Sequence, residues 1–357
     1  MTDVLVLGGG PAGAAAAIAL ARGGARVTLV EREAAAREKV CGEFLGPDAA
    51  RLLEGLGLPL PGLGALPIGA ARLAAGRHEA GWDLPFQAWS LPRAVLDEAL
   101  LAAASEAGAR VLRGRAVSAA ARDGEGWSAR LSDGAVLRGA ALVLATGKHE
   151  LRGHARRAPG GMVGLKLPLR LAAPMPEEVL LLPFAGGYAG FQPRAGGGAN
   201  LCCALDAAGR EARDPAALLA RVSGGSALAA RLLRGAEPLA TRPLAVAGVP
   251  YGFRHRDTAG EVAPYRIGDQ FAVIPSLAGD GVAMALAGGA EAAAAILSGR
   301  PATAFHAALD RRLGRPMRWA GLLAGLLERA PGTLALAAGL SPALARAAAS
   351  RTRLPGI

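Results

Sequence analysis

Apolar residues in the first third of the chain fall into short solid blocks separated by helical stripes, the pattern of buried strands wound with helices. The block Val4-Leu5-Val6-Leu7 stops at Gly8-Gly9-Gly10 and gives way to an Ala-rich helical stretch. A second block, Ala25-Arg26-Val27-Thr28-Leu29-Val30, ends in Glu31. Pro47 to Glu54 reads as a short amphipathic helix, and the proline- and glycine-rich passage Gly55 to Gly81 as loops and short strands. Ser90-Leu91-Pro92-Arg93 introduces a helix over Ala94 to Ala107, with Leu96, Leu100 and Leu101 on one face and Gly108 as its stop. A strand at Arg110-Val111-Leu112 leads into three short strands turning at Asp123-Gly124 and Asp133-Gly134, a β-meander. The buried strand Ala140 to Ala145 then closes on Thr146-Gly147.

From His149 to about Arg254 the pattern changes to strands broken by proline and glycine: Met162 to Leu171, Glu178 to Leu182, Gly187 to Phe191 and Asn200 to Leu205. One helix, Ala216 to Leu233, intervenes, and the segment predicts a mainly antiparallel sheet. Tyr265-Arg266-Ile267-Gly268-Asp269 returns to the earlier character, a helix over Gly281 to Leu297 follows, and the remainder reads as helices broken at Pro331-Gly332 and Pro342. The expected fold class is α/β: a Rossmann-like domain of parallel sheet plus meander, a second antiparallel lobe and C-terminal helices. Residues 1–65, 90–150 and 255–300 are assigned to the first domain, 66–89 and 151–254 to the second lobe, and 301–357 to the helical segment.

Composition narrows the function classes. The net charge of +11 comes mostly from arginines scattered among Ala, Gly and Leu, and aromatics make up only 4%. Neither a phosphate-tracking stripe nor a stacking platform results, so nucleic acid is not expected as a partner. No apolar run approaches the roughly 18 residues of a membrane span. The first strand begins at Val4, which leaves no room for a leader, and the expected location is the cytoplasm. Of the three cysteines, adjacent Cys202 and Cys203 point to opposite faces of any strand and read as small buried hydrophobes. No spacing suits a metal, and none is expected.

The chemistry concentrates in Gly8-Gly9-Gly10-Pro11-Ala12-Gly13 between a strand and a helix. The first glycine permits the tight turn, the second lets a pyrophosphate reach the backbone, and the third lets helix and strand pack closely. Glu31, about 20 residues on at the end of the second strand, is placed to grip a ribose hydroxyl. Strand, turn, helix, strand and acid in this order predict an adenine-dinucleotide site.

Three separated segments resemble one family, the two-domain FAD oxidoreductases that include para-hydroxybenzoate-hydroxylase-like monooxygenases, flavin halogenases and geranylgeranyl reductases. They are Gly8 to Glu31; Arg93-Ala94-Val95-Leu96-Asp97-Glu98-Ala99-Leu100, similar to that family's Arg-x-x-Leu-Asp-x-x-Leu helix; and Gly268 to Gly281, similar to Gly-Asp-x5-Pro-x3-Gly-x-Gly. The resemblance implies FAD as cofactor. It gives Gly8, Gly10 and Gly13 to the pyrophosphate with Pro11 and Ala12 beside them, Glu31 with Arg32 to the adenosine ribose, and the Val117 backbone to adenine. Arg93 would neutralise phosphate, with Thr146 and Gly147 nearby. Gly268, Asp269, Pro275, Gly279, Asp280 and Gly281 would secure the ribityl and isoalloxazine parts. Lys39-Val40-Cys41-Gly42-Glu43 resembles the Lys-Pro-Cys-Gly-Gly segment of geranylgeranyl reductases, placing Lys39 and Cys41 beside the flavin. With Gly187-Tyr188-Ala189-Gly190 and Gly279-Asp280-Gly281, it resembles a bacterial subgroup that occurs with type III polyketide synthases or serves quinone-cofactor oxidases.

Cys41, Glu43 and Asp280 are the candidate catalytic residues; Cys41 reads equally as a packed thiol, and for Glu43, a proton-donor candidate at the flavin edge, a surface or turn carboxylate is the commoner reading. His149 and His154 are weaker acid or base candidates. The second lobe is expected to roof the flavin with apolar residues, Leu180, Leu182, Tyr188 and Phe191 among them. The expected reaction is hydroxylation of a hydrophobic or aromatic small molecule through a flavin hydroperoxide, with NADH or NADPH as candidate transient donors. Thr146-Gly147 departs from the hydroxylases' Asp-Gly pair, which weakens direct use of NADPH, and the Trp-x-Trp-x-Ile-Pro signature of halogenases is absent. Reduction or dehydrogenation of a carbon–carbon bond in a lipid or polyketide is the runner-up. Two further readings are a flavoprotein that docks on and modifies a protein partner, and a reductase anchored to a membrane surface by Ala304 to Arg329 and Pro342 to Arg353, which is not favoured.

Overall fold

The computed structural model describes residues 2–158, 161–206, 214–256 and 263–356. In chain order its strands are β1 (Asp3–Leu7), β2 (Arg26–Glu31), β3 (Phe44–Leu45), β4 (Leu66–Ala75), β5 (His78–Ser90), β6 (Arg110–Arg113), β7 (Val117–Asp123), β8 (Gly126–Leu131), β9 (Val136–Gly139), β10 (Ala141–Leu144), β11 (Met162–Arg170), β12 (Glu178–Phe184), β13 (Gly187–Arg194), β14 (Gly198–Leu205), β15 (Glu237–Pro238), β16 (Leu244–Val249) and β17 (Tyr265–Arg266). The helices are α1 (Pro11–Arg22), α2 (Pro47–Gly55), α3 (Arg93–Glu106), α4 (Pro215–Ser223), α5 (Ala227–Leu232), α6 (Gly281–Leu297), α7 (Ala302–Arg329), α8 (Pro331–Leu340) and α9 (Pro342–Arg351).

The apolar blocks of the opening segment form a parallel sheet in the order β17-β10-β1-β2-β6. β1 lies at its centre, with Leu5 opposite both Leu142 and Thr28. Because side chains alternate across a strand, Val4 and Val6 pack into the core under α1 and α6, while Leu5 and Leu7 pack beneath the meander β7-β8-β9 with Trp127, Leu131 and Leu144. That double coverage explains why β1 is solidly apolar. α1 is nearly all alanine on its buried side, which lets α6 come very close: a Cβ on Gly289 would lie 2.4 Å from the Ala12 carbonyl oxygen.

The second sheet runs β15-β11-β14-β13-β12-β4-β5-β3, with β16 also on β11. Its pairings are antiparallel except β12 with β4. The passage expected as loops and short strands is here a long hairpin. β4 and β5 were illegible because Pro67, Gly69 and small alanines interrupt the alternation, and a register shift falls between Ile68 and Ala70. The single helix expected over Ala216 to Leu233 is two. Ser226 accepts from the Ala229 amide at 3.1 Å to start α5, and a Cβ on Gly225 would stand 2.4 Å from the Pro183 carbonyl oxygen, so the chain must turn there. Among the described residues no helix is long and apolar enough to cross a membrane.

Replacing Gly289 with alanine forces α1 and α6 apart. Overpacking of this kind costs about 1–3 kcal/mol, so Gly289→Ala should lower the urea midpoint with an unchanged m-value.

Candidate functional site

A cavity of about 1060 Å³ runs from the glycine turn after β1 to the inner face of the second sheet. It is at the upper end of small-molecule sites, large enough for an extended cofactor. Three glycines shape its entrance for different reasons. Gly8 has φ +110°, and a Cβ there would lie 2.3 Å from the Ala145 carbonyl oxygen; a Cβ on Gly13 would lie 1.9 Å from the Gly8 carbonyl oxygen. Those two permit backbone contact between turn, helix and β10. At Gly10 a Cβ would meet only the Arg93 Nη2, at 3.8 Å, so the space beside it is open and faces a cation. Gly10 starts α1 without a side-chain cap and Pro11 follows, which leaves the amides of Ala12 and Gly13 for an anion.

Glu31 is buried at the tip of β2 and draws the loop to itself. Its Oε2 accepts from the Gly9 amide at 2.7 Å and its Oε1 from the Glu33 amide at 3.0 Å. Arg93, at the first turn of α3, is fixed by Asp97 one turn on, with contacts of 2.9 and 3.0 Å, and Lys39 reaches the same carboxylate at 2.9 Å. Although burial opposes its charge, the Asp97 and Cys41 neighbours raise the Arg93 guanidinium above its ordinary value, so a fixed cation faces Gly10.

At the far end Gly268 (φ +58°) and Gly279 (φ +71°) bring the backbone round to α6. A Cβ on Gly279 would strike the Phe44 ring at 2.6 Å. α6 also lacks a side-chain cap, which leaves its first amides without a side-chain acceptor, and Gly281 and Val282 of its first turn line the cavity. Lys148 lies 3.3 Å from Asp269, whose charge raises the lysine above its usual value, and Arg156 donates to the Asp269 carbonyl oxygen at 2.9 Å.

Residues 1–139 match the family described as FAD binding domain. That stretch is similar to the FAD-binding domains of FAD-dependent oxidoreductases. The chain is a flavoprotein with FAD as its cofactor. Over 164 residues it is 32% identical to the menaquinone reductase of Mycolicibacterium smegmatis, covering 42% of this chain and 39% of that one. Over 57 residues it is 51% identical to 6-methylpretetramide 4-monooxygenase of Streptomyces rimosus, 16% of this chain and 14% of that one. The aligned stretches thus span well under half the length of these curated relatives. In three dimensions it superposes on a flavin-dependent brominase with TM-score 0.82 at 19% identity, covering 98% of this chain and 93% of that one. It also superposes on a geranylgeranyl bacteriochlorophyll reductase-like protein of Thermoplasma acidophilum with TM-score 0.75 at 18% identity, covering 95% and 90%. At such identities the likeness is one of fold.

The residues of this flavoprotein suit FAD: an open anion cradle at Gly10 with a cation opposite, and a second free helix start at the other end of one continuous cavity. Gly8, Gly10, Pro11, Ala12, Glu31, Arg32, Lys39, Cys41, Glu43, Arg93, Val117, Thr146, Gly147, Gly268, Asp269, Gly279 and Gly281 all line that cavity. Gly13 lies behind it, and Pro275 sits before the short helical turn Ser276–Ala278, outside the lining. His149 lines the cavity; burial, then Arg32, Lys39 and Arg37, hold its imidazole below the usual range. His154 does not line it, and its Nε2 is 3.0 Å from the Ala120 carbonyl oxygen.

Two expectations are corrected. Leu180, Leu182 and Phe191 do not roof the cavity; they face the other side of the second sheet and pack with Leu218 and Val222 of α4. The period of two sends their neighbours inward instead, so Tyr188 stands on the cavity side, its phenol 2.7 Å from Ser276 Oγ, without reaching the lining. Burial raises the Tyr188 phenol above its ordinary range. The apolar wall comes from β16 and its sequel, Leu244, Val246 and Val249 with Tyr251, and from Val40 and Phe44. Asp280 does not face the flavin region: it is buried against Arg353, which also donates to the Ala278 carbonyl oxygen at 2.7 Å. Burial outweighs Arg353 and pushes its carboxyl up to about 7.

Sequence reasoning also missed Lys166 and Asn200. The signal for Lys166 was a lone cation inside the apolar strand Met162–Arg170, on the face opposite Leu165, Leu167 and Leu169. Cys202 lines the cavity with its thiol pushed up to about 12 by burial, and Cys203 is likewise raised. Both are inert thiols rather than nucleophiles.

Gly10→Val places a branched side chain in open space, so the protein should fold with a near-normal melting temperature yet purify without the visible flavin absorbance. Retained flavin would remove the phosphate contact. Asp280 holds its proton in the folded state up to about pH 7, whereas the unfolded chain releases it near the ordinary aspartate value of 3.8. Between these values the folded protein binds the extra proton, so wild-type stability should fall relative to Asp280→Asn as pH rises, by at most about 1.4 kcal/mol per pH unit. Parallel stability–pH curves from urea titrations would refute this.

Proposed function

We propose that this flavoprotein is a monooxygenase that places one atom of dioxygen on a hydrophobic or aromatic small molecule. The observation that carries the reading is the sidedness of the cavity: charged and glycine-lined at the nucleotide end, apolar around Val40, Phe44, Val246 and Val249 at the other. Bound FAD supplies two-electron storage and, once reduced, reaction with dioxygen. The chain's own residues do the rest. The α1 amides and Arg93 hold the pyrophosphate; the uncapped start of α6 offers positive partial charge where negative charge gathers on reduction. The apolar wall excludes water and orients an apolar ring. The second atom of dioxygen leaves as water, with NADH or NADPH as donor of two electrons. Identity over 57 residues with a monooxygenase supports this reading.

A second reading is favoured by the longer alignment with a menaquinone reductase: reduction of a carbon–carbon bond without dioxygen. One experiment separates them. The FAD-loaded protein is reduced anaerobically with dithionite and mixed with air-saturated buffer or with an anaerobic polyprenyl alkene such as geranylgeraniol. Return of oxidised-flavin absorbance within seconds in air is expected. Reduced flavin that persists in air while the alkene reoxidises it and is itself saturated would favour the reductase.

A further inference from the structure

Lys166 is the bulkiest of the fully buried side chains in the described structure, on the inner face of β11. An isolated buried ammonium is very costly, so its partners define what it does. Its Nζ contacts two carboxylates, Glu38 and Glu43. Both carboxylates line the cavity; Glu43 is fully buried, whereas Glu38 is about one-third exposed and also contacts Arg194 of β13. Lys166 thus joins an exposed carboxylate to a buried one.

Glu43 is held in a backbone conformation that side chains rarely adopt, φ +65°, the one non-glycine residue with positive φ among those described. The fold pins it there. Asn200 of β14 donates to the carbonyl oxygens of Cys41 and Gly42, both at 3.1 Å; the Glu43 amide lies 3.3 Å from Cys41 Sγ; and Glu43 Oε1 accepts from the Arg93 amide at 3.0 Å, at the start of α3. Its other oxygen, Oε2, is buried with no hydrogen-bond partner. An orphan carboxylate oxygen at a cavity wall is where a proton or a donor group belongs.

We infer that Glu43 holds the proton exchanged with the reacting molecule in the cavity, and that Lys166 is the positioning residue that sets and renews it from Glu38. In the step, an N–H bond at Lys166 Nζ breaks and an O–H bond forms on Glu43; Nζ then recovers a proton from Glu38, which takes it from water. The net transfer is one proton from solvent to Glu43, with no oxidant or reductant consumed. Burial raises the Glu43 carboxyl above its usual range; Lys166 and the Arg93 amide oppose that, and Glu38 adds to it. This inference rests on the oxidoreductase reading for the use of the proton, but not for its test.

The test is infrared titration of the FAD-loaded resting protein, without substrate or oxygen turnover, so its failure is distinct from failure of the oxygen experiment. A protonated-carboxyl band that vanishes in Glu43→Gln is expected. Loss of an opposite charge at contact distance should shift its midpoint upward by about one pH unit or more in Lys166→Met, with return toward the wild-type value in Lys166→Arg. Glu38→Gln should slow the band's appearance after a pH jump several-fold without reducing its amplitude. Should Lys166→Met lose the fold, Lys166→Gln, which keeps a donor, gives the same reading. A midpoint unmoved by the lysine substitutions, or a band indifferent to Glu43→Gln, overturns the inference.

Discussion

Backbone contact without side chains is the constraint on which this molecule rests. Gly13 touches the carbonyl of Gly8, Gly8 touches that of Ala145, and Gly289 touches that of Ala12, so turn, sheet and two helices meet at distances no Cβ would allow. The result is a rigid seat for α1, whose free amides then point at one place. The same economy explains the alanine content of the helix: a larger side chain at these positions would lift α1 off the sheet and take the anion cradle with it.

Charge is organised around that seat by a few buried or half-buried acids rather than by the many surface arginines. Asp97 fixes Arg93 and Lys39 together, Glu31 ties the glycine turn to β2, and Asp269 holds Lys148 near the other end of the cavity. Each acid aims a cation or an amide at the space where a negatively charged cofactor belongs. The strongly positive net charge of the chain says little about this, because exposed ion pairs contribute little and are screened.

The nucleotide half was legible because its requirements are local. A glycine at a tight turn, an apolar block buried on both sides and an acid at a strand end are each dictated within a few residues, and β1, α1, β2, α3, the meander and α6 fall where the pattern put them. The second sheet was legible as strands but not as faces. Leu180, Leu182 and Phe191 are apolar whichever side is inward, and nothing in their neighbourhood announces that α4 and α5 cover them. Lys166 carried the missing information, since a cation amid leucines marks the face that is not the apolar core. Asp280 was misplaced for another reason: its partner, Arg353, lies seventy-three positions away.

That last contact belongs to a long-range latch. Leu354 is buried in the same core as β1 and α1, its amide donates to Asp48 at 2.9 Å, and Arg353 contacts the acid at the start of α6. The nucleotide-binding half is thus closed by a contact that spans 306 positions, so the flavin seat is latched only when residues 48 and 354 meet. Loosening that distant strap would open the seat without touching a single glycine of the turn.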